Sequence, residues 1–248
     1  MKSFFNWSGG KDAALCLYHT LQQKQYDVEL LLTTLSSVTK RVTMHGVRQE
    51  LLEQQATSIG LPLQKILLPE DASMAAYDNT MKNALLPLQN QEFTHAIFGD
   101  INLEDLRLYR EQQLAQVNMQ AVFPLWGKPT KMLVREFIDL GFKAVVVSAN
   151  ARVLNESFVG RILDHDFIDD LPATVDPAGE NGEYHTFVFD GPIFRNPVKY
   201  TLGEKVLKTY GVPATAADAC FKTEAKPSYD TSFWFCDLLP PNYTSTTI

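Results

Sequence analysis

With 248 residues, 45% of them hydrophobic and 21% charged, the chain has the size and composition of an ordinary globular protein able to bury a large core. A net charge of −7, with no lysine- or arginine-rich block, makes nucleic acid an unlikely partner, although an acidic protein can hold a polyanion locally. The N-terminal apolar run is too short for a secretory signal, nothing approaches a membrane span, and Cys16, Cys220 and Cys236 show no metal-ligand spacing, so free thiols and a cytoplasmic location are expected.

Residues 2–7 read as a strand and 12–24 as a helix. Between them stands Ser8-Gly9-Gly10-Lys11-Asp12, followed by Ala13. Adjacent glycines let a backbone approach a ligand closely, and the first amides of a helix favour an anion. Lys11 adds a positive charge. The pattern is neither a Walker loop nor a dinucleotide fingerprint, whose glycine spacings differ. The plainer alternative for a Gly-Gly pair is an ordinary turn.

Further along, 29–35 is strand-like, and a loop through Thr43-Met44-His45-Gly46 leads to a helix over 47–59 capped by Gly60. A short strand is predicted at 63–67, a helix at 73–86 with Ser73 as its N-cap, and a short strand at 95–98 ending on Gly99-Asp100. Residues 103–117 and 130–140 read as helices, 119–122 as a strand, and 144–147 as a last buried strand. This alternation predicts an α/β fold with a doubly wound, mostly parallel sheet. Beyond residue 150 the rhythm changes to short helices over 155–170, a glycine- and acid-rich stretch over 176–183, and β-like segments at 185–189 and 198–202. The expected division is a nucleotide-binding domain over 1–150, a smaller α+β substrate module over 151–239, and a flexible tail over 240–248.

Ligands of an open parallel sheet collect beyond the carboxyl ends of its strands, where strand order reverses. That rule selects the Ser8–Asp12 loop, then Thr33, Thr34 and Ser36, then Gly99 and Asp100. Thr34 could hydrogen-bond an adenine edge, and Gly99 would let the chain pass close to a base or ribose. Strand propensity alone could explain the threonines, and a helix cap and turn could explain Gly99-Asp100. His45 could reach a phosphate, or cap or sit at the surface. His19 and His165 read as structural. A second dense cluster is Gly179-Glu180-Asn181-Gly182-Glu183-Tyr184-His185-Thr186-Phe187, whose carboxylates could bind Mg²⁺, orient an ammonium or act as bases. Its alternative is an acidic surface loop, but the aromatic and β-branched run that follows anchors one end in a core.

Together these residues resemble the diphthine–ammonia ligase family, within the adenine nucleotide α-hydrolase superfamily. The shared text is Trp7-Ser8-Gly9-Gly10-Lys11-Asp12, Met44-His45-Gly46-Val47, Phe98-Gly99-Asp100-Ile101, Pro124-Leu125-Trp126, Gly160-Arg161, and the 179–187 motif running on to Asp190-Gly191-Pro192-Ile193-Phe194. The resemblance implies a superfamily nucleotide-binding fold, with ATP and Mg²⁺ as cofactors. It also implies activation of a carboxylate as an acyl-adenylate with loss of pyrophosphate, and displacement of AMP by ammonia. The acceptor in the family's name reaction is diphthine, a modified histidine of a translation elongation factor. ATP would lie on Ser8, Gly9, Gly10, Lys11, Asp12, Ala13, Thr34, His45, Gly99 and Asp100, with Asp12 toward the metal. Lys11, Asp12, Glu180, Glu183 and His185 would carry the chemistry, Glu183 being preferred for handling ammonia. Ala13 and Ala178 stand where relatives often have serine and cysteine, which removes a phosphate contact and any thiol step there. The competing readings are a related enzyme acting on tRNA or another metabolite, and a nucleotide-binding sensor without chemistry. A homodimer stays open.

Overall fold

A computed structural model describes residues 1–42, 45–69, 73–210, 232–241 and 243. Five strands, β1 (Lys2–Asn6), β2 (Asp27–Ser36), β3 (Leu63–Leu68), β4 (His95–Ile97) and β5 (Gln120–Val122), form an all-parallel sheet in the order β3-β2-β1-β4-β5. The interleaved helices are α1 (Lys11–Gln23), α2 (Gln49–Ile59), α3 (Met74–Asn90), α4 (Glu104–Ala115) and α5 (Thr130–Asp139). The fold is the α/β, doubly wound parallel arrangement that the alternation predicts.

The two faces follow from alternate residues of β1. Phe4 packs with Leu32, Ile66, Leu85, Leu88 and Leu114, so α3 and α4 cover one face. Phe5 packs with Leu15, Leu51, Leu52, Leu133 and Phe137, so α1, α2 and α5 cover the other. The strand order reverses at β1, which has β2 on one side and β4 on the other. The carboxyl ends of β1 and β4 therefore flank the expected crevice. Two helix caps behave as read, while α3 runs on to Asn90: Gly60 caps α2 at φ +86°, and the Ser73 side chain accepts the Ala76 amide.

A second sheet is antiparallel, in the order β7-β6-β9-β8, from β6 (Lys143–Asn150), β7 (Tyr184–Asp190), β8 (Thr201–Thr209) and β9 (Ser232–Leu239). The run at 144–147 thus belongs to β6 of this sheet and not to the parallel one. An unbroken apolar run reports burial on both faces and says nothing of strand direction or partner. Between β6 and β7 lie a short 3₁₀ turn (Glu156–Phe158) and helix α6 (His165–Asp169).

One continuous core joins Ala13, Ala14, Cys16 and Leu17 of α1 to Val145, Val147, Phe187 and Val188 of the second sheet. Helix α1 is accordingly buried over most of its first three turns, as a helix sandwiched between two sheets must be. Cys16 and Cys236 are free thiols; Cys220 and the tail beyond Tyr243 lie outside the described residues. Among the described residues no helix is long and apolar enough to cross a membrane.

Candidate active site

The Ser8–Asp12 loop leaves β1 at the reversal point and is wired into the second sheet. Gly9 has φ +79°, and a Cβ there would lie 2.7 Å from Leu52 Cδ2, so both conformation and space require glycine. The Gly9 carbonyl accepts the Val188 amide at 2.9 Å and Gln55 Nε2 at 3.0 Å, while Gln55 Oε1 accepts Trp7 Nε1 at 2.8 Å. The Lys11 amide donates to Thr186 Oγ1 at 3.0 Å. Strand β7 is thereby hydrogen-bonded directly to the glycine loop.

Lys11 is 4% exposed, yet its ammonium is satisfied: Nζ donates to Asp12 Oδ2 at 2.7 Å and stands 5.1 Å from the centroid of the Tyr184 ring. These groups border a cavity of about 930 Å³ beyond the carboxyl ends of β1, β2 and β4. Ser8, Lys11, Asp12, Ala13, Thr34, His45, Gly99, Asp100, Glu180 and His185 all line it. Tyr77 and Met81 of α3 and Leu106 and Tyr109 of α4 supply a more apolar wall. Thr33 and Thr34 lie inside β2, which outruns β1; the Trp7 amide donates to the Leu32 carbonyl, level with them.

Electrostatics separate the glutamates. Burial pushes the Glu180 carboxyl up to about 7, with Asp12, Asp100 and Asp176 adding to the rise and Lys11 opposing it. Glu183, 6% exposed, is turned into its own loop. Its Oε1 accepts the Asp176 amide and Asn181 Nδ2, both at 3.0 Å, and its Oε2 accepts the Asn181 amide at 2.9 Å. A carboxylate holding three N–H groups of its own turn is a structural clasp, whereas Glu180 lines the cavity. Sequence reading missed Asp176, which accepts the Ala178 amide at 2.8 Å and the Thr130 hydroxyl at 2.7 Å and so ties the loop to the start of α5. Its position at the head of the 176–183 stretch was the available signal.

At Gly99 the absence of a side chain has a packing reason. The space a Cβ would fill is taken by the α1 backbone, 3.0 Å from Asp12 C and 3.1 Å from Ala13 N, so glycine serves close packing of β4 onto α1. Asp100 is held by Arg110, with Nε 3.0 Å from Oδ2 and Nη2 donating to Oδ1 at 3.2 Å. Its pKa is nevertheless raised, chiefly by burial, against the pull of Arg110.

His45 lies over the glycine loop: a Cβ on Gly10 would be 2.8 Å from His45 Cε1. Its Nδ1 is 3.2 Å from the Thr186 carbonyl, which can only accept, so Nδ1 carries the proton. The His45 and His185 rings are 4.6 Å apart at 34°. Burial lowers His45 to about 4 and takes His185 well below the usual imidazole range, so both are neutral. Arg41 and Arg48, on either side of His45, are held from the second sheet by Asp237 of β9. Asp237 takes Arg41 at 2.7 and 3.0 Å and Arg48 at 3.2 and 2.6 Å, and these guanidiniums hold its carboxyl below the usual range despite burial. Nothing in the sequence around Asp237 signals this role.

Mg²⁺ enters cells' nucleotide sites with the phosphates and needs only one or two protein carboxylates. Among the described residues no group of three or more His, Cys, Asp and Glu could hold a metal unaided. Asp12, Asp100 and Glu180 border one cavity, and Asp12, beside the glycine loop, could take an ion carried in by a nucleotide.

Two family models match in tandem, the diphthamide synthase N-terminal domain over residues 1–120 and the diphthamide synthase C-terminal domain over residues 129–213. The chain belongs to the diphthamide synthase family. Within curated proteins it is similar to the diphthine–ammonia ligases of Homo sapiens and Rattus norvegicus, 27% and 26% identical over 124 residues. Each alignment covers 48% of this chain and 46% of the relative, so the match spans about half the length of those ligases. A solved structure of a predicted tRNA methyltransferase subunit from Methanocaldococcus jannaschii is 22% identical, with a TM-score of 0.42, covering 59% of this chain and 80% of that one. The family's N-terminal match contains the glycine loop and His45, and its C-terminal match contains Asp176, Glu180 and His185. Strand β9, which carries Asp237, lies beyond both.

Proposed function

We propose that this member of the diphthamide synthase family is an ATP-dependent ligase that converts a carboxylate into an amide through an acyl-adenylate. The observation that carries the reading is the hydrogen bond from the Lys11 amide to Thr186, which brings the glycine loop and the acidic loop to one cavity. ATP lies with its phosphates on residues 8–12 beside Ala13, and its base near Thr34 and the Gly99 backbone. Asp12 would hold a magnesium ion bound with the nucleotide, which would supply charge neutralisation at the phosphates.

A carboxylate oxygen of the acceptor attacks the α-phosphorus, and the α–β phosphoanhydride bond breaks. Lys11 and the loop amides stabilise the charge leaving on pyrophosphate. The lone pair of ammonia then attacks the acyl carbon, the C–N bond forms, and the acyl–oxygen bond to AMP breaks. Glu180 is the base that takes the surplus proton from nitrogen, its raised pKa suiting transfer near neutrality. Neutral His45 and His185 face the same step without adding positive charge. Diphthine on a translation elongation factor is the acceptor the relatives' name suggests, and the free Cys16 and Cys236 thiols suit a cytoplasmic setting.

The test is product analysis with ATP, ammonium chloride and a panel of carboxylates including diphthine-bearing elongation factor. AMP and pyrophosphate formed only with acceptor support the ligase. Nucleotide binding with no turnover across the panel supports a sensor instead.

A further inference from the structure

Two buried polar atoms on neighbouring strands of the second sheet have no hydrogen-bond partner: Ser148 Oγ on β6 and His185 Nε2 on β7. Ser148 is 0% exposed. The register pairs Ser148 with His185 on one side and with Phe235 of β9 on the other, so the three side chains stand in a row on one face. The loop that carries His45 covers that row. His45 stacks on His185, and Gly46 sits so close to Phe235 that a Cβ there would lie 3.2 Å from its ring. The row adjoins the glycine loop through His45, which a Cβ on Gly10 would meet at 2.8 Å.

We propose that Ser148 and His185 form the ammonia-binding subsite of the ligase, behind the phosphate loop. The inference rests on the ligase reading. Ammonia offers three N–H donors and one lone pair, and the lone pair must stay free for attack on the acyl carbon. The site must therefore supply acceptors, and both orphaned atoms can accept: the serine oxygen, and Nε2 of a neutral imidazole in the Nδ1–H tautomer that the subsite requires. Burial and the neighbouring His45 and Lys11 keep the His185 ring uncharged, and the same positive neighbour, Lys11, disfavours ammonium against ammonia. An unpartnered buried hydroxyl is destabilising, and such a cost persists where function uses the group.

The experiment varies ammonium chloride in the full reaction on diphthine-bearing elongation factor, comparing wild type with Ser148→Ala. Acceptor-dependent ATP–pyrophosphate exchange without ammonium is measured beside it. Loss of one hydrogen bond predicts a KM for ammonium about three- to tenfold higher in the variant. Exchange rate and KM for ATP stay unchanged, and Tm does not fall because an unsatisfied group has been removed. An unchanged KM for ammonium overturns the subsite, as does a lowered Tm with unchanged KM, which would mark a structural water. Exchange lost in the variant alone would move Ser148 to the adenylation step and also overturn it. No exchange in the wild type would remove the ligase reading itself, and the subsite with it.

Discussion

The amide of Lys11 and the hydroxyl of Thr186 are 3.0 Å apart in space and 175 residues apart in sequence. This bond makes the start of α1 a shared element of both sheets, since Val188 on the same strand also donates to Gly9. Thr186→Val keeps the shape and leaves the Lys11 amide unsatisfied in a buried place. The expected cost is about 1–3 kcal/mol of stability. The glycine loop should loosen with it, weakening ATP binding several-fold in calorimetry, whereas a substitution on the exposed edge strand β8 should leave ATP affinity unchanged.

Glu180 and Glu183 should separate cleanly. Glu180→Gln lowers amide formation by about 10²–10⁴, as loss of a general base does, with ATP affinity nearly intact. At constant free ammonia, the wild-type rate rises as pH passes about 7 and that limb disappears in the variant. Glu183→Gln acts through the fold, because one amide nitrogen replaces an oxygen that accepts N–H groups. It should lower Tm and affect rate only secondarily. Thermal denaturation and single-turnover kinetics on both variants check the pair.

Stability should fall as pH drops from about 6.5 toward 5. His45 and His185 have folded pKa values below the unfolded imidazole value, so the unfolded chain binds more protons in this window, and acidification favours it. Each contributes up to about 1.4 kcal/mol per pH unit there. Glu180 acts with the opposite sign, because its raised pKa lets the folded state take up a proton first. Two histidines against one glutamate leave a net loss, and Glu180→Gln should steepen it. Urea midpoints at pH 6.5 and 5 measure both slopes.

Asp237 positions the loop that carries His45 without touching the cavity. Asp237→Asn removes the charge that two guanidiniums share, leaving Arg41 and Arg48 to repel each other. The expected result is a weakened ATP affinity and loss of the fixed Nδ1–H tautomer of His45 in imidazole ¹⁵N spectra, with partial recovery in Asp237→Glu. An unchanged His45 spectrum would confine Asp237 to general stability.

Much of this was legible in order and spacing. The apolar runs around Phe4 and Phe5, the Gly9-Gly10 turn and the alternation of elements identify the parallel sheet and the glycine loop after its first strand, because periodicity and turn chemistry are local. The 176–183 stretch announces itself by composition. What spacing does not carry is the direction a side chain turns. Glu183 is clasped by Asp176 seven residues earlier, Gly99 yields its space to α1, and Asp237 reaches Arg41 across 196 residues. The strand at 144–147 shows the same limit, since burial on both faces is common to a central parallel strand and a central antiparallel one.

The most direct measurement is the fate of ATP and acceptor in one reaction of the purified chain with diphthine-bearing elongation factor and ammonium chloride. The account predicts one AMP and one pyrophosphate per amide formed, with amide identified on the acceptor by mass spectrometry, and none of the three from Lys11→Ala at wild-type rate. Formation of ADP and phosphate, or ATP cleavage independent of the acceptor, would contradict it.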